Sequence, residues 1–373
     1  MSHLGYMEKL LDGVEVEWKK LSEIFNLKNG YTPSKSKKEF WENGQIPWFR
    51  MDDIRENGQI LNDSLQKVSK SAVKGGKLFP ADSIIISTSA TIGEHALVTV
   101  PFLANQRFTN LSLKPAYTNR FNMKFIFYYG FLLAEWCKNN TTVSSFASVD
   151  MNGFRELQIP IPPLNIQAEI VRILDTFTEL TAELTAELTV RQQQYEYYRE
   201  QLLTFEEGEV EWRLLGDVTV YEQPIKYRVK SKEYNDDFLT PVLTAGKTFI
   251  LGYTNEVEGI YTASKKPVII FDDFTTANKW VDFDFKVKSS AMKMITTANE
   301  SEVMQKYIYY WLNTLPSDLV AGDHKRQWIS NFSNKRIPIP PLAEQKRIVS
   351  ILDKFDALTT SLTEGLPREI ELR

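Results

Sequence analysis

Apolar side chains recur through the middle of the chain at Ile166, Ile170, Ile173, Phe177, Leu180, Leu184 and Leu188, and then at Tyr195, Tyr198 and Leu202. From Ile166 to Leu184 the intervals are four, three, four, three and four, the seam of a coiled coil, one stripe of a helix buried against a partner. Prolines at 160, 162 and 163 cannot continue a helix, so IPIPPL reads as an extended lead-in. The helix is expected to start near Asn165, as N-cap, and to stop at the Glu-Glu-Gly of 206–208. About 40 residues at about 1.5 Å each make a rod of roughly 60 Å.

The signature returns. IPIPPLNIQAEIVRILDTFTELTAELTAEL (159–188) recurs as IPIPPLAEQKRIVSILDKFDALTTSLTEGL (337–366), an offset of 178 with 18 of 30 positions identical. EVEWKKLSEI (15–24) is echoed by EVEWRLLGDV (209–218), and YMEKLL (6–11) by YREQLL (198–203). The end of the chain, Arg373, aligns with Tyr195, about where the beginning would continue the repeat. The expectation is a pseudo-two-fold molecule whose two termini together complete a copy of the central connector; simple duplication without that closure is the alternative. The second seam runs through Ile348, Ile351, Phe355, Leu358, Leu362 and Leu366, with Gly365 and Pro367 placed to kink it. Under this symmetry the two helices pair antiparallel, against the alternative of a parallel homodimer.

Between the connectors lie two stretches with mixed periodicity. SIIISTS, ALVTV and TNLSLK in the first, and KPVIIF, VDFDFKV and AMKMIT in the second, read as strands; NMKFIFYYGFLLAEWCKN and SEVMQKYIYYWLNTL read as helices whose aromatic faces pack a core. The expected class is α+β. The expected divisions are an N-terminal segment (1–16), a first module (17–158), a central helix (159–210), a second module (211–336) and a C-terminal helix (337–373).

Composition adds two constraints. No apolar run approaches a membrane span, no signal-peptide pattern opens the chain, and the single Cys137 excludes an internal disulfide or a multi-cysteine zinc site, so a reducing cytoplasm is expected. The net charge of −4 is unevenly spread: eleven acidic and three basic side chains leave 165–211 at −8, hence +4 elsewhere. That balance permits nucleic-acid binding.

Catalytic signatures are not evident. Ala-Gly-Lys-Thr at 245–248 resembles the end of a phosphate-binding loop, but Pro241 stands where the first glycine is required. Asp282, Asp284 and Lys286 resemble fragments of a metal-dependent nuclease site, but alternate with Val281, Phe283, Phe285 and Val287 as in a half-buried strand. His3, His95 and His324 are too scattered for a metal site. Polar loops suited to DNA are present in both modules. In the first, Ser34, Lys35, Lys37, Arg50, Asn105, Gln106 and Arg107 combine phosphate donors with base-reading amide and guanidinium groups. In the second, Thr244, Lys247, Thr275, Thr276, Lys279, Ser289, Ser290, Lys293, Lys325, Arg326 and Gln327 do the same.

Two unlike modules, each followed by IPIPPL and an EIVRILD-type helix, resemble the specificity subunit of type I restriction–modification systems, and the TAELTAEL tract resembles the type IC group. The EVEW segments, Gly-Tyr-Thr-Pro-Ser-Lys at 30–35, Ile-Pro-Trp at 46–48, VLTAGKTFILGYTNE and FDDFTTANKW extend the likeness over essentially the whole chain. The resemblance implies two target recognition domains, each reading half of a bipartite double-stranded DNA site, separated by an antiparallel coiled coil of two long helices. It implies two methyltransferase subunits that bring S-adenosylmethionine, and restriction subunits that use ATP and Mg; no cofactor is expected in this chain and no membrane. The alternative is a self-contained endonuclease or methyltransferase with duplicated DNA-binding halves. A coiled-coil scaffold without DNA affinity is a third class.

Overall fold

A computed structural model describes residues 13–142, 147–245, 248–316, 326–360, 367 and 370. The chain divides into two compact units, Met1–Leu180 and Thr181–Arg373. Lys247, Lys325, His324 and Gly365 lie outside the described residues, as do positions 1–12, on which the inferred closure depends.

In the first unit the chain runs β1 (Glu17–Lys20), α1 (Leu21–Ile24), β2 (Phe25–Asn29), β3 (Ile46–Phe49), α2 (Met51–Asn57), β4 (Ile60–Leu61), β5 (Lys67–Val68), β6 (Ser83–Ser87), β7 (His95–Val98), β8 (Leu103–Ala104), β9 (Phe108–Leu113), α3 (Met123–Asn139), β10 (Thr141–Thr142), β11 (Ser148–Val149), α4 (Met151–Glu156), β12 (Gln158–Ile161) and into α5 (Leu164–Leu203). A five-stranded sheet, β2-β9-β6-β7-β4, forms the middle layer. Ile84 and Ile86 on one face of β6 pack with Phe125, Ile126 and Leu133 of α3, while Ile85 on the other face packs with Phe49 and Ala104 of the small sheet β5-β3-β8. Covering both faces explains the unbroken apolar run SIIIS: a strand buried on two sides has no polar face to alternate with.

The second unit continues with β13 (Glu211–Leu214), α6 (Leu215–Val218), β14 (Thr219–Glu222), β15 (Thr240–Leu243), β16 (Ile250–Thr254), β17 (Val268–Asp272), β18 (Asn278–Val281), β19 (Lys286–Val287), β20 (Met292–Thr297), α7 (Gln305–Leu312), α8 (Gln327–Ser330), β21 (Arg336–Ile339) and α9 (Leu342–Thr360). Its layers repeat those of the first: a sheet β14-β20-β17-β18 lies between α7 and a small sheet β16-β15-β19. In both small sheets the central strand pairs antiparallel on one side and parallel on the other.

The repeated sequence segments meet in space. β1 pairs antiparallel with β12, Glu17 opposite Ile161, and β13 pairs in the same way with β21, Glu211 opposite Ile339. EVEW and IPIP are thus the two halves of one ribbon, which closes each module at its base. Since this ribbon brings the end of α5 to the start of α9, helices running alongside each other from there must run in opposite directions. Tyr195 and Tyr198 of α5 meet Phe355 of α9, with ring centroids 6.2 and 5.5 Å apart, and Leu203 shares a core with Ile348 and Leu352. The α+β class and the contact of the two long helices are as expected.

Three local expectations need correction. α5 starts at Leu164, with the Pro163 carbonyl accepting from the Ile166 and Gln167 amides, so Asn165 lies inside the first turn instead of capping it. VDFDFKV is not one strand: Val281 ends β18, Lys286 opens β19, and between them the Asp284 carboxylate accepts from the Ser264 amide and hydroxyl in a turn. Helix α7 is confined to Gln305–Leu312, short of the full segment read as helical.

Candidate nucleic-acid interface

Parallel pairing of β3 with β8 brings two distant loops together. The Asn105 amide donates to the Phe49 carbonyl at 3.0 Å, so Arg50 and Asn105 leave the sheet side by side. The Gly30 loop closes over this edge. Tyr31 donates to Ala104 at 2.8 Å, and a Cβ on Gly30 would lie 2.2 Å from the Asn105 carbonyl oxygen, a clash only glycine avoids. Thr32 then donates to the side-chain oxygen of Gln106, and the Asn105 side chain accepts from the Arg107 amide at 3.0 Å. Five of the seven residues expected to bind DNA in this module, Ser34, Arg50, Asn105, Gln106 and Arg107, are placed on or against this one loop cluster, with Lys35 and Lys37 exposed beside Ser34.

Two tryptophans brace the cluster. Trp48 donates its indole N–H to the Tyr31 carbonyl and Trp41 to that of Ser34, each at 3.0 Å, and their rings meet edge to face at 5.0 Å. They line a cleft of about 430 Å³ with Lys35, Lys38, Glu42, Arg50 and Gln66, three cations against one carboxylate. Arg50 lies over the Trp48 ring at 5.7 Å, and among the described residues its Nε has no hydrogen-bond partner. Its backbone is fixed by the fully buried Asp53, whose carboxylate accepts from the Arg50 and Leu65 amides at 2.6 Å each. Burial pushes the Asp53 carboxyl above its ordinary range against these two bonds. A cationic groove with an aromatic wall is suited to phosphate and to base faces or edges. Trp41 and Trp48 were not among the expected residues; indole spacing beside the lysine-rich loop TPSKSKK (32–38) was the signal available.

The second module builds the corresponding edge from β15 and β19. Here the Lys288 amide donates to the Leu243 carbonyl at 2.8 Å, so Thr244 and Lys288 leave together. Lys288 was missed; its ammonium donates to the Tyr234 hydroxyl at 3.0 Å, a partner 54 positions away that no local pattern reveals. Asp273 joins the remaining loops: its amide donates to the Ala291 carbonyl, its carbonyl accepts from Gln327 at 2.9 Å, and its carboxylate accepts from the Trp328 amide at 2.8 Å. Thr275, Ser289, Ser290 and the exposed Arg326 are gathered there, whereas the exposed Lys279 lies along β18.

Three expected DNA contacts are turned inward. Lys293 is fully buried, 3.5 Å from Asp273, because on β20 it shares a face with Ile295. Thr276 is buried at a left-handed turn position, φ 61°, with its amide bonded to Asp272. Gln327 is buried and accepts from Asn331. As direct DNA contacts these three are withdrawn. Elsewhere, Lys286 is buried against Glu256 at 3.1 Å, so the Asp282–Asp284–Lys286 pattern does not converge, and no metal-holding group is found among the described residues. Burial pushes the Cys137 thiol up to about 12, which leaves it an inert core residue.

The sequence matches the family described as "Type I restriction modification DNA specificity domain" twice, over residues 13–190 and 208–372. It is 48% identical over 402 residues to the type I restriction enzyme EcoprrI specificity subunit of Escherichia coli, covering 98% of this chain and 93% of that one. It is 67% identical over 165 residues to the EcoR124I/EcoR124II specificity subunit of the same species, a match spanning 42% of this chain and 41% of that relative. The fold is that of the type I restriction–modification S subunit from M. genitalium, with a TM-score of 0.55 and 15% identity over 97% of this chain and 93% of that one. A chain from a study of type I system assembly superposes with a TM-score of 0.61 at 14% identity, covering 96% and 94%. With two copies of the family's domain and full-length relatives, the chain belongs to the DNA specificity subunits of type I restriction–modification systems, the non-catalytic component of those complexes.

Proposed function

We propose that each module reads one half of a bipartite double-stranded DNA target through the loop cluster at the end of its small sheet, with 17–158 and 211–336 as the two recognition domains. One observation carries this reading. The same architectural edge, β3 beside β8 and β15 beside β19, gathers polar and cationic loops in both modules although the loop sequences are unrelated. A conserved frame with variable ends is how recognition loops are mounted on rigid scaffolds. In the first module Ser34, Lys35, Lys37, Arg50, Asn105, Gln106 and Arg107 form the surface; in the second Thr244, Thr275, Ser289, Ser290 and Arg326 do, with Lys279 proposed from its exposed place on β18 and Lys247 and Lys325 from sequence alone.

Two methyltransferase subunits bound to the long helices supply S-adenosylmethionine and the methyl transfer; restriction subunits that use ATP and Mg join them. The complex works in the cytoplasm, and among the described residues no helix is long and apolar enough to cross a membrane. Because the surplus positive charge outside the connector is small, the isolated chain binds DNA weakly and gains specificity with its methyltransferase partner. Selection of bound sequences from a random duplex pool, with and without that partner, tests this: two short conserved blocks around an unread spacer are expected from the complex only. A single continuous block, or equal specificity from the isolated chain, would overturn it.

A further inference from the structure

We propose that the buried Asp273–Lys293 ion pair positions the reading surface of the second module, setting selectivity at one half-site without touching DNA. The inference rests on the assignment of that surface made above. Lys293 is 0% exposed and the Asp273 side chain 2%, with Nζ 3.5 Å from Oδ2. The ammonium otherwise faces the Tyr221 ring at 5.2 Å and has no hydrogen-bond partner among the described residues. Two charges with so few compensating bonds are a poor source of stability, since removing them from water offsets much of their attraction.

Asp273 uses every polar atom it has. Its N–H, C=O, Oδ1 and Oδ2 go to Ala291, Gln327, Trp328 and Lys293 respectively. The segments so joined carry Thr275, Ser289, Ser290 and Arg326. Removing the ammonium leaves a buried carboxylate at the junction, which must take up water or move, and any movement passes directly to those loops.

The first module makes the same junction without charge. Thr88 donates its N–H to Arg107 at 2.9 Å and accepts from Val149 at 3.0 Å, as Asp273 does with Ala291 and Gln327. Where the ion pair would be, the Thr88 and Thr109 hydroxyls bond at 3.1 Å, and Thr109 lies on β9 as Lys293 does on β20. The shared fold therefore does not require a charged pair; the second module's particular loops do.

The full-length chain in complex with its methyltransferase partner tests this by selection from a random duplex pool, read at each half-site separately. Lys293→Met is expected to relax preference at one half-site by about tenfold or more and to leave the other within about twofold. Asp273→Thr combined with Lys293→Thr, which installs the hydroxyl pair of the first module, is expected to recover most of the lost preference. Unchanged preference in Lys293→Met, an equal loss at both half-sites, or a double variant no better than the single one would overturn the inference. Should Lys293→Met not fold, the neutral Lys293→Gln carries the comparison: a one-sided change supports the pair, and an unchanged or two-sided result overturns it. Arg326→Ala in the same assay keeps the two readings apart, because an unchanged preference there counts against the surface assignment while the Lys293 variants judge the pair themselves.

Discussion

Gln345 makes the same three hydrogen bonds as Gln167, 178 positions earlier. Gln167 donates to the Arg120 and Pro162 carbonyls, each at 2.8 Å, and accepts from the Asn122 amide at 2.8 Å. Gln345 donates to Glu302 at 3.0 Å and Pro340 at 2.8 Å, and accepts from Met304 at 2.8 Å. Both are fully buried. Each glutamine ties the start of a long helix to its proline lead-in and to the cap of the module's own helix, α3 or α7. Gln167→Leu or Gln345→Leu strands those backbone groups without water, an expected loss of about 1–3 kcal/mol apiece. Chemical denaturation with hydrogen exchange should show the loss confined to the altered unit; a loss shared by both would contradict it.

A second repeated contact predicts a response to acid. Asp175 accepts from Lys124 and Tyr128 at 2.7 Å each, as Asp353 does from Lys306 at 2.9 Å and Tyr310 at 2.5 Å. Burial raises the Asp175 carboxyl, but the bonds from Lys124 and Tyr128 outweigh it and hold the group below its usual range. A lowered carboxylate stabilises the fold above its unfolded value of about 3.9, and that stability disappears as pH falls through the lower folded value. Partial exposure of Lys124 keeps the effect modest. Stability of the first unit should therefore be flat in this contact at neutral pH and fall below about pH 4, with Asp175→Asn flattening part of the slope. An identical acid profile for Asp175→Asn would refute the assignment.

The connectors were legible because duplication wrote them twice: a seam, a proline lead-in and EVEW each had a second copy to check against. Strands buried on both faces, such as Ile84–Ile86, announced themselves as apolar runs. The interface was half legible. Loop residues such as Ser34 and Arg107 could be named from chemistry, but Lys293, counted with the polar loop residues, stands inside the apolar run AMKMIT, where β20 begins at Met292. Burial of Lys293 follows from strand register and from Asp273, twenty positions away, neither of which a local composition contains. The pairing of Lys288 with Tyr234 was invisible for the same reason.

Arg326 and Arg107 are exposed cations on separate modules and should act on separate half-sites. Loss of a bidentate base contact costs about 1–3 kcal/mol and relaxes selectivity at the base it reads. Arg326→Ala is expected to do this at one half-site and Arg107→Ala at the other. A phosphate contact would instead weaken binding uniformly and reduce its salt dependence by about one counterion. Selected-sequence profiles with a salt titration separate these outcomes, and equal loss at both half-sites from either variant would sink the assignment.

The TAEL tract, Thr181 to Leu184 and Thr185 to Leu188, lies within the continuous helix α5. Its copies are interchangeable at the level of bonds: the Thr185 hydroxyl donates to the Thr181 carbonyl at 2.7 Å and that of Thr189 to Thr185 at 3.0 Å, so a third copy would find its place in the same ladder. Four residues add about 6 Å of helix and about 400° of rotation, returning the apolar seam to within about 40° of its starting face. A coiled coil absorbs such a stutter, whereas an insertion of two residues would turn the stripe away from its partner. On the DNA side a base-pair step advances about 3.4 Å, and with 10 to 10.5 pairs per turn it rotates roughly 35°. A third TAEL should therefore lengthen the unread spacer by one or two base pairs and leave both half-site sequences unchanged, while a two-residue insertion should abolish methylation. Sequencing the sites methylated by complexes with two and three copies decides it: an unchanged spacer, or altered half-site bases, would show that the tract is a run of good helix formers with no metric role.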